Sequence, residues 1–304
     1  MPARTRIERV AALGYPVTSV DCSTSDGYWM MPWEYSGLKF HSYDFGGGKL
    51  THTGYHFLDI VPWLMRFSGL TGNNTITHAF VTANLFRPSD SVAMMGADQI
   101  GRLVRGSQRE EVQIAPDLGD INSYIQVKFS NGKRIVTSVN FTFMHEGFSL
   151  RTSDDPRESV TRRTKIDHMM ISQGPLFCAR FSRIAKMLDQ DAISPIGRPD
   201  HFELYCVANN LTGLPRIEML KPESVETYEG CGDDELPTTD FFQSVIDRTR
   251  IPISPVSDHS TGVKLMSAAY RSAALSYATE DGMPVPVKIT FMPEEWNKPP
   301  LFWK

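Results

Sequence analysis

Two histidines four residues apart, with an aspartate three residues beyond the second, give residues 46–59, GGGKLTHTGYHFLD, the makings of an acid–base site. On a helix His52 and His56 share one face, and Asp59 comes within hydrogen-bonding reach of His56. Imidazole titrates near neutral pH, so such a group can take a proton from an alcohol, and a carboxylate behind the ring would fix its tautomer. Lys49 lies just ahead, where its ammonium could reach a substrate hydroxyl or a phosphate. The same histidines, with His41, could instead hold zinc for a hydrolase. A zincin helix, however, carries glutamate directly after its first histidine, and Thr53 stands there. Structural roles are also open to both rings, His52 at the helix start and His56 as a satisfied core histidine.

The glycine run suggests a nucleotide only superficially. A dinucleotide fold needs GxGxxG between a strand and a helix, so that the pyrophosphate can approach the backbone. Here Thr51 occupies the place of the third glycine, and no apolar strand leads in. A GxxxxGK[ST] phosphate loop fails at Tyr43 and at Leu50. A hinge loop is the plain reading, and no cofactor motif is found.

The 304 residues carry a formal charge of −4, with 41% hydrophobic and 22% charged side chains, which suits a globular chain with a substantial core and gives no basic footprint for nucleic acid. Arg157, Arg162, Arg163 and Lys165 are interleaved with acidic residues, as on a solvated loop. Cys22, Cys178, Cys206 and Cys231 form no CxxC and no metal spacing, so reduced thiols are expected. No apolar run is long enough for a secretion signal or a membrane span, and a cytoplasmic location is expected, which leaves the three Asn-x-Thr triplets without meaning.

The elements that must position the histidines can be read in part. Residues 17–22 alternate as a strand, and residues 23–45 read as irregular loop. A helix is predicted from Thr51 or Thr53 to Phe67, with Tyr55, Leu58, Ile60, Trp63 and Leu64 as its apolar surface and a kink at Pro62. Residues 121–143 form a hairpin around Asn131-Gly132, with Ile125, Val127, Phe129, Ile135, Val139, Phe141 and Phe143 facing the core. The opposite, polar face is either wet or an interface. Residues 176–188 read as a helix and 201–208 as a strand. A short helix capped by Thr239 or Asp240 and a longer one opened by Ser257 or Asp258 close the chain, the latter with Val263, Met266, Tyr270, Ala273, Ala274 and Tyr277 as a packing stripe. One α+β domain spanning residues 1–304 is expected, built on a largely antiparallel or mixed open sheet with helices on one face.

Residues 46–59 resemble the GG-x-x-x-D-x-G-x-H-x-x-D segment of the substrate-side domain in the Gfo/Idh/MocA family of nicotinamide-dependent sugar and polyol oxidoreductases. Residues 17–29, the Asn131-Gly132 hairpin and residues 241–274 resemble that domain more loosely, and residues 151–199 have no counterpart. The resemblance implies a substrate and oligomerisation domain without its nucleotide domain. NAD or NADP would be supplied by a domain cut off or carried on another chain, for hydride transfer at a sugar or polyol carbon. His56 matches the family histidine that contacts the reacting hydroxyl. His52 stands where the family has an aspartate, a departure that replaces an anion, and Asp59 matches the later aspartate, which orients the helix or His56. No Glu-Lys-Pro, source of the family's lysine, occurs in the chain. Lys49, Tyr43 and Trp29 are the candidate substrate contacts, and the loop aromatics could stack on a sugar ring or simply pack. The expected partners are a sugar or polyol, a nucleotide-binding domain and further copies of the chain. The alternative is a non-enzymatic ligand-binding or subunit-interaction module that keeps the fold, which His52 and the missing lysine also suit.

Overall fold

A computed structural model describes residues 2–31, 33–35, 47–68, 70, 74–96, 119–147, 164–185, 201–220, 259–279 and 281–297, with a few isolated positions between them. Nine strands form one mixed sheet in the order β8-β7-β6-β5-β1-β4-β3-β2-β9. In chain order these are β1 (Ser19–Tyr28), β2 (His78–Phe86), β3 (Asn122–Ser130), β4 (Ile135–Glu146), β5 (Lys165–Gln173), β6 (Phe177–Ala185), β7 (His201–Ala208), β8 (Ile217–Leu220) and β9 (Val287–Thr290). Among the described strands only β1 and β4 run parallel; every other pairing is antiparallel. Among the described residues the α-helices are α1 (Pro2–Ala11), α2 (Tyr55–Arg66), α3 (Pro88–Met95), α4 (Ser260–Ser276) and α5 (Glu294–Asn297). The expected α+β architecture is therefore present.

Alternation along the strands decides which face is covered. Val20 and Cys22 of β1, Val81 and Leu85 of β2, and Val127 and Phe129 of β3 are buried on one side. Against that side pack α1, whose Ile7 and Val10 are fully buried, α2 through Leu58, Val61, Leu64 and Met65, and α4 through Leu265, Ala268, Ala269 and Ala273. Ser272 lets α4 sit close on β2, since its hydroxyl accepts from the Ala83 amide at 2.9 Å and donates to the Val285 carbonyl at 2.6 Å. On the other face Asn140 Nδ2 donates to Asp21 Oδ1 at 2.7 Å, and Gln126 Nε2 to Asn140 Oδ1 at 3.2 Å. Phe80, Tyr124 and Ile166 are exposed on that face.

Several local readings change. The strand β1 does not end at Cys22 but runs on through Ser23–Ser25, because those residues, although turn formers, are paired with β4 on one side and β5 on the other. Residues 177–185 are a strand rather than a helix, laddered between β5 and β7. In the hairpin Gly132 has φ +87° and the Asn131 side chain accepts from the Lys133 and Arg134 amides, closing a four-residue loop. Thr137 stays on the buried face opposite Phe129, but a register shift between Phe129 and Ser130 then leaves Ile135 exposed, reversing the expectation for Ile135. The buried stripe of α4 lies one position round from the expected one, so that Val263 and Tyr277 are exposed. On α2 Tyr55 is exposed, Val61 and Met65 are buried instead, and Pro62 lies inside the helix. The short helix expected after Thr239 or Asp240, and Ser257 and Asp258 themselves, lie outside the described residues.

Candidate functional site

The helix that bears the histidines starts with a wide, π-helical turn at Leu50–Gly54 and continues as α2. No side chain within the segment caps it. The cap comes from the approach to β3: Asp120 Oδ2 accepts from the Leu50 amide at 3.0 Å, and the Asp120 carbonyl accepts from the Lys49 amide at 2.8 Å. The two backbones come so close that a methyl on Gly48 would collide with the Asp120 carboxylate and amide. Asp120 also accepts from Ser123 Oγ and, at 3.4 Å, from Tyr270 OH, whose oxygen in turn meets Thr51 Oγ1. Burial pushes the Asp120 carboxyl above the usual carboxylate range despite these donors. A carboxylate thus stands where a phosphate would approach this helix, so the glycine loop does not fit a dinucleotide.

Lys49 is buried. Its Nζ lies 2.6 Å from Asp26 Oδ2 near the end of β1, with 1% of the lysine side chain and 11% of the aspartate side chain exposed. His145 Nδ1 of β4 is 3.5 Å from the same oxygen, stacked on Tyr28 at 4.4 Å between ring centres. Lys165 Nζ at the start of β5 is 4.0 Å from Asp26 Oδ1. Burial opposes charge on Asp26, but the bonds from His145 and Lys49 and their charges prevail and hold the carboxyl well below the usual carboxylate range. Burial lowers the Lys49 ammonium below the ordinary lysine value, with Asp26 pulling the other way. The Lys49 ammonium is committed to this pair.

Farther along, Tyr55 packs its ring on His56, 3.8 Å between centres. His56 is pulled below the ordinary histidine value, first by desolvation and then by Lys165 and His259, while Asp59 works against them. His56 and Asp59 are therefore electrostatic neighbours, and the Asp59 carboxylate is held by His259, whose Nδ1 lies 2.6 Å from Oδ2. His52 is exposed, with Nδ1 at 3.0 Å from Thr53 Oγ1. Trp29 follows β1, packs against Met31 and accepts from Arg151 Nη1 at 3.2 Å through its carbonyl. Arg151 also forms a buried two-pronged pair with Glu34. Tyr43 and His41 lie outside the described residues.

The structure thus places His56 and Asp59 near each other on one helix, bonds Asp59 to His259, and sends Lys49 inward to Asp26, with Lys165 acting on both Lys49 and His56. Asp26, Asp120, His145 and His259 were not legible as partners, because each meets the segment from a distant part of the chain. Among the described residues no cluster of three or more His, Cys, Asp or Glu could hold a metal ion, and no helix is long and apolar enough to cross a membrane.

No protein-family model matches the chain, and no curated protein does. Among solved structures, similarity is found to GenD2 from gentamicin A biosynthesis in complex with NAD, at TM-score 0.43 and 14% identity over 96% of this chain and 61% of that one. Levoglucosan dehydrogenase in its apo form gives TM-score 0.41 and 16% identity over 94% and 64%, and an oxidoreductase from Sinorhizobium meliloti gives 0.38 and 11% over 95% and 61%. The structural neighbours are oxidoreductases and dehydrogenases, and the chain spans about three fifths of their length. Likenesses this loose carry no inference about what this chain binds.

Proposed function

We propose that the chain is the substrate-side domain of a sugar or polyol oxidoreductase of the Gfo/Idh/MocA type. The observation that carries the reading is the placement of His56, with Asp59 three residues on, on a helix whose start is clamped to the sheet by Asp120 and by the Lys49–Asp26 pair. Desolvation lowers the proton affinity of His56, which leaves the ring free to accept a proton from a substrate hydroxyl, and the nearby charge of Asp59 favours the imidazolium that forms. Lys49 fixes the segment through Asp26, and Trp29 and Tyr43 are proposed to flank the sugar. His52 contributes orientation by hydrogen bonding rather than the negative charge of an aspartate. The residues at the glycine loop do not fit NAD or NADP, and the dinucleotide is assigned to a nucleotide-binding domain outside this fold.

The proposed unit is one domain in the cytoplasm, where the free thiols of Cys22, Cys178 and Cys206 suit a reducing environment. It assembles through the open sheet face carrying Phe80, Tyr124 and Ile166. Light scattering after size exclusion is expected to give a dimer or larger, and a monomer alone removes that part of the proposal. The second reading, a ligand-binding module without catalysis, is favoured by His52, exposed where the family has its aspartate. Calorimetry with sugars and inositols tests the site: binding lost in His56→Ala is expected, and binding unchanged by that substitution overturns the assignment of His56.

A further inference from the structure

His259 immediately precedes α4 and lies 200 residues from Asp59 in the chain, yet its Nδ1 stands 2.6 Å from Asp59 Oδ2. A carboxylate only accepts hydrogen bonds, so the proton is on Nδ1, either in that neutral tautomer or in the imidazolium. The start of α4 presses on the same carboxylate from another side: a methyl on Gly262 would stand 3.0 Å from Asp59 Oδ1. Asp59 is thus held by a ring donor and flanked by the backbone of α4, in the first half of α2, three residues from His56, on which its charge acts. At the opposite end of the helix pair Thr51 meets Tyr270, so α4 is pinned along α2 by a polar contact on either side of His56.

We infer that His259 is a positioning residue of the candidate site, fixing the orientation of the Asp59 carboxylate one helical turn from His56. The functional meaning rests on the reading of His56 proposed above; the hold of His259 on Asp59 does not. The charged groups that act on His56 are Asp59 from α2, Lys165 from β5 and His259 from the start of α4, and the neighbouring Tyr55 ring covers part of it. Replacing His259 by Gln, which bonds Asp59 less well and cannot carry a charge, removes a neighbour whose charge, when the ring is protonated, opposes protonation of His56. Replacing Asp59 removes the attraction altogether.

The test is the titration of the histidine Cε1–H signals of the full chain by NMR, with His56 assigned from His56→Ala. In His259→Gln the His56 titration is expected at higher pH than in the parent, and in Asp59→Asn at lower pH. Asp59→Asn is also expected to move the His259 ring nitrogen shifts towards those of a solvent-averaged tautomer mixture. Thermal unfolding of each variant reads folding separately, and if His259→Gln does not fold, the two Asp59→Asn signals decide. An unchanged His56 titration in His259→Gln, or movement of both variants in one direction, overturns the inference. Sugar and inositol binding is measured on the same samples. Coupled titrations without any binding in the parent overturn the proposed function and leave the positioning role standing, whereas His56-dependent binding with uncoupled titrations does the reverse.

Discussion

Replacing Lys49 by methionine strands the Asp26 carboxylate in the interior. The two groups are 2.6 Å apart with side chains 1% and 11% exposed, so water cannot take over the lost contact. Removing one partner of a buried pair costs about 3–5 kcal/mol. His145 at 3.5 Å and Lys165 at 4.0 Å still face Asp26, which places Lys49→Met at the lower end, about 3 kcal/mol. With a urea dependence of about 3 kcal/mol per M, the unfolding midpoint, followed by tryptophan fluorescence, falls by about 1 M. Adding Asp26→Asn removes the stranded charge, and the double variant is expected to recover part of the loss, with a coupling of about 2 kcal/mol. Because the Asp26 carboxyl is held below its ordinary value in the fold, its contribution is full above about pH 4 and is lost as the pH falls further. In Lys49→Met the loss of the ammonium raises the proton affinity of the buried Asp26 carboxyl, so the gap between parent and variant begins to narrow once the pH falls to where Asp26 takes up a proton in the variant, and goes on narrowing with further acidification. A midpoint for Lys49→Met within about 0.2 M of the parent, against the shift expected from the linear denaturant dependence, would refute the reasoning.

Three further outcomes are expected. Asp120→Ala removes the acceptor at the start of the histidine helix and costs about 1–2 kcal/mol, read as a lower urea midpoint, with weaker polyol binding as the segment loses its clamp. Gly54→Ala puts a methyl 2.6 Å from the Phe143 ring, and the overpacking costs about 1–3 kcal/mol in the same assay. Ligand binding that needs a neutral His56 persists at pH 6.5, near the ordinary histidine value, and fades only on further acidification, because desolvation lowers the proton affinity of that ring; calorimetry across pH checks this.

What could be read from the sequence was what short-range patterning controls. The Asn131-Gly132 hairpin, the strand at residues 201–208 and the mixed α+β sheet follow from alternation and turn chemistry, which act over a few residues. The misreadings share one cause. Ser23–Ser25 look like a turn and residues 177–185 like a helix until their strand neighbours are in place, and the Ile135 and α4 faces shifted because a bulge or a one-position rotation leaves no trace in composition. In the site, His56 and Asp59 were visible as an i, i+3 pair on one helix. Their surroundings were not: the cap from Asp120, the ion pair with Asp26 and the contact with His259 span 70, 23 and 200 residues of chain, and no local spacing encodes them. Lys49 shows the consequence, since a lysine after three glycines reads as exposed and proves to be interior.

The most direct test of the central claim is calorimetry of the purified chain with sugars and inositols, with NAD and NADP titrated in parallel. A polyol signal that His56→Ala abolishes and no dinucleotide signal are expected, since Asp120 occupies the only glycine-rich helix start among the described residues. Dinucleotide binding by this chain, or polyol binding indifferent to His56, would contradict it.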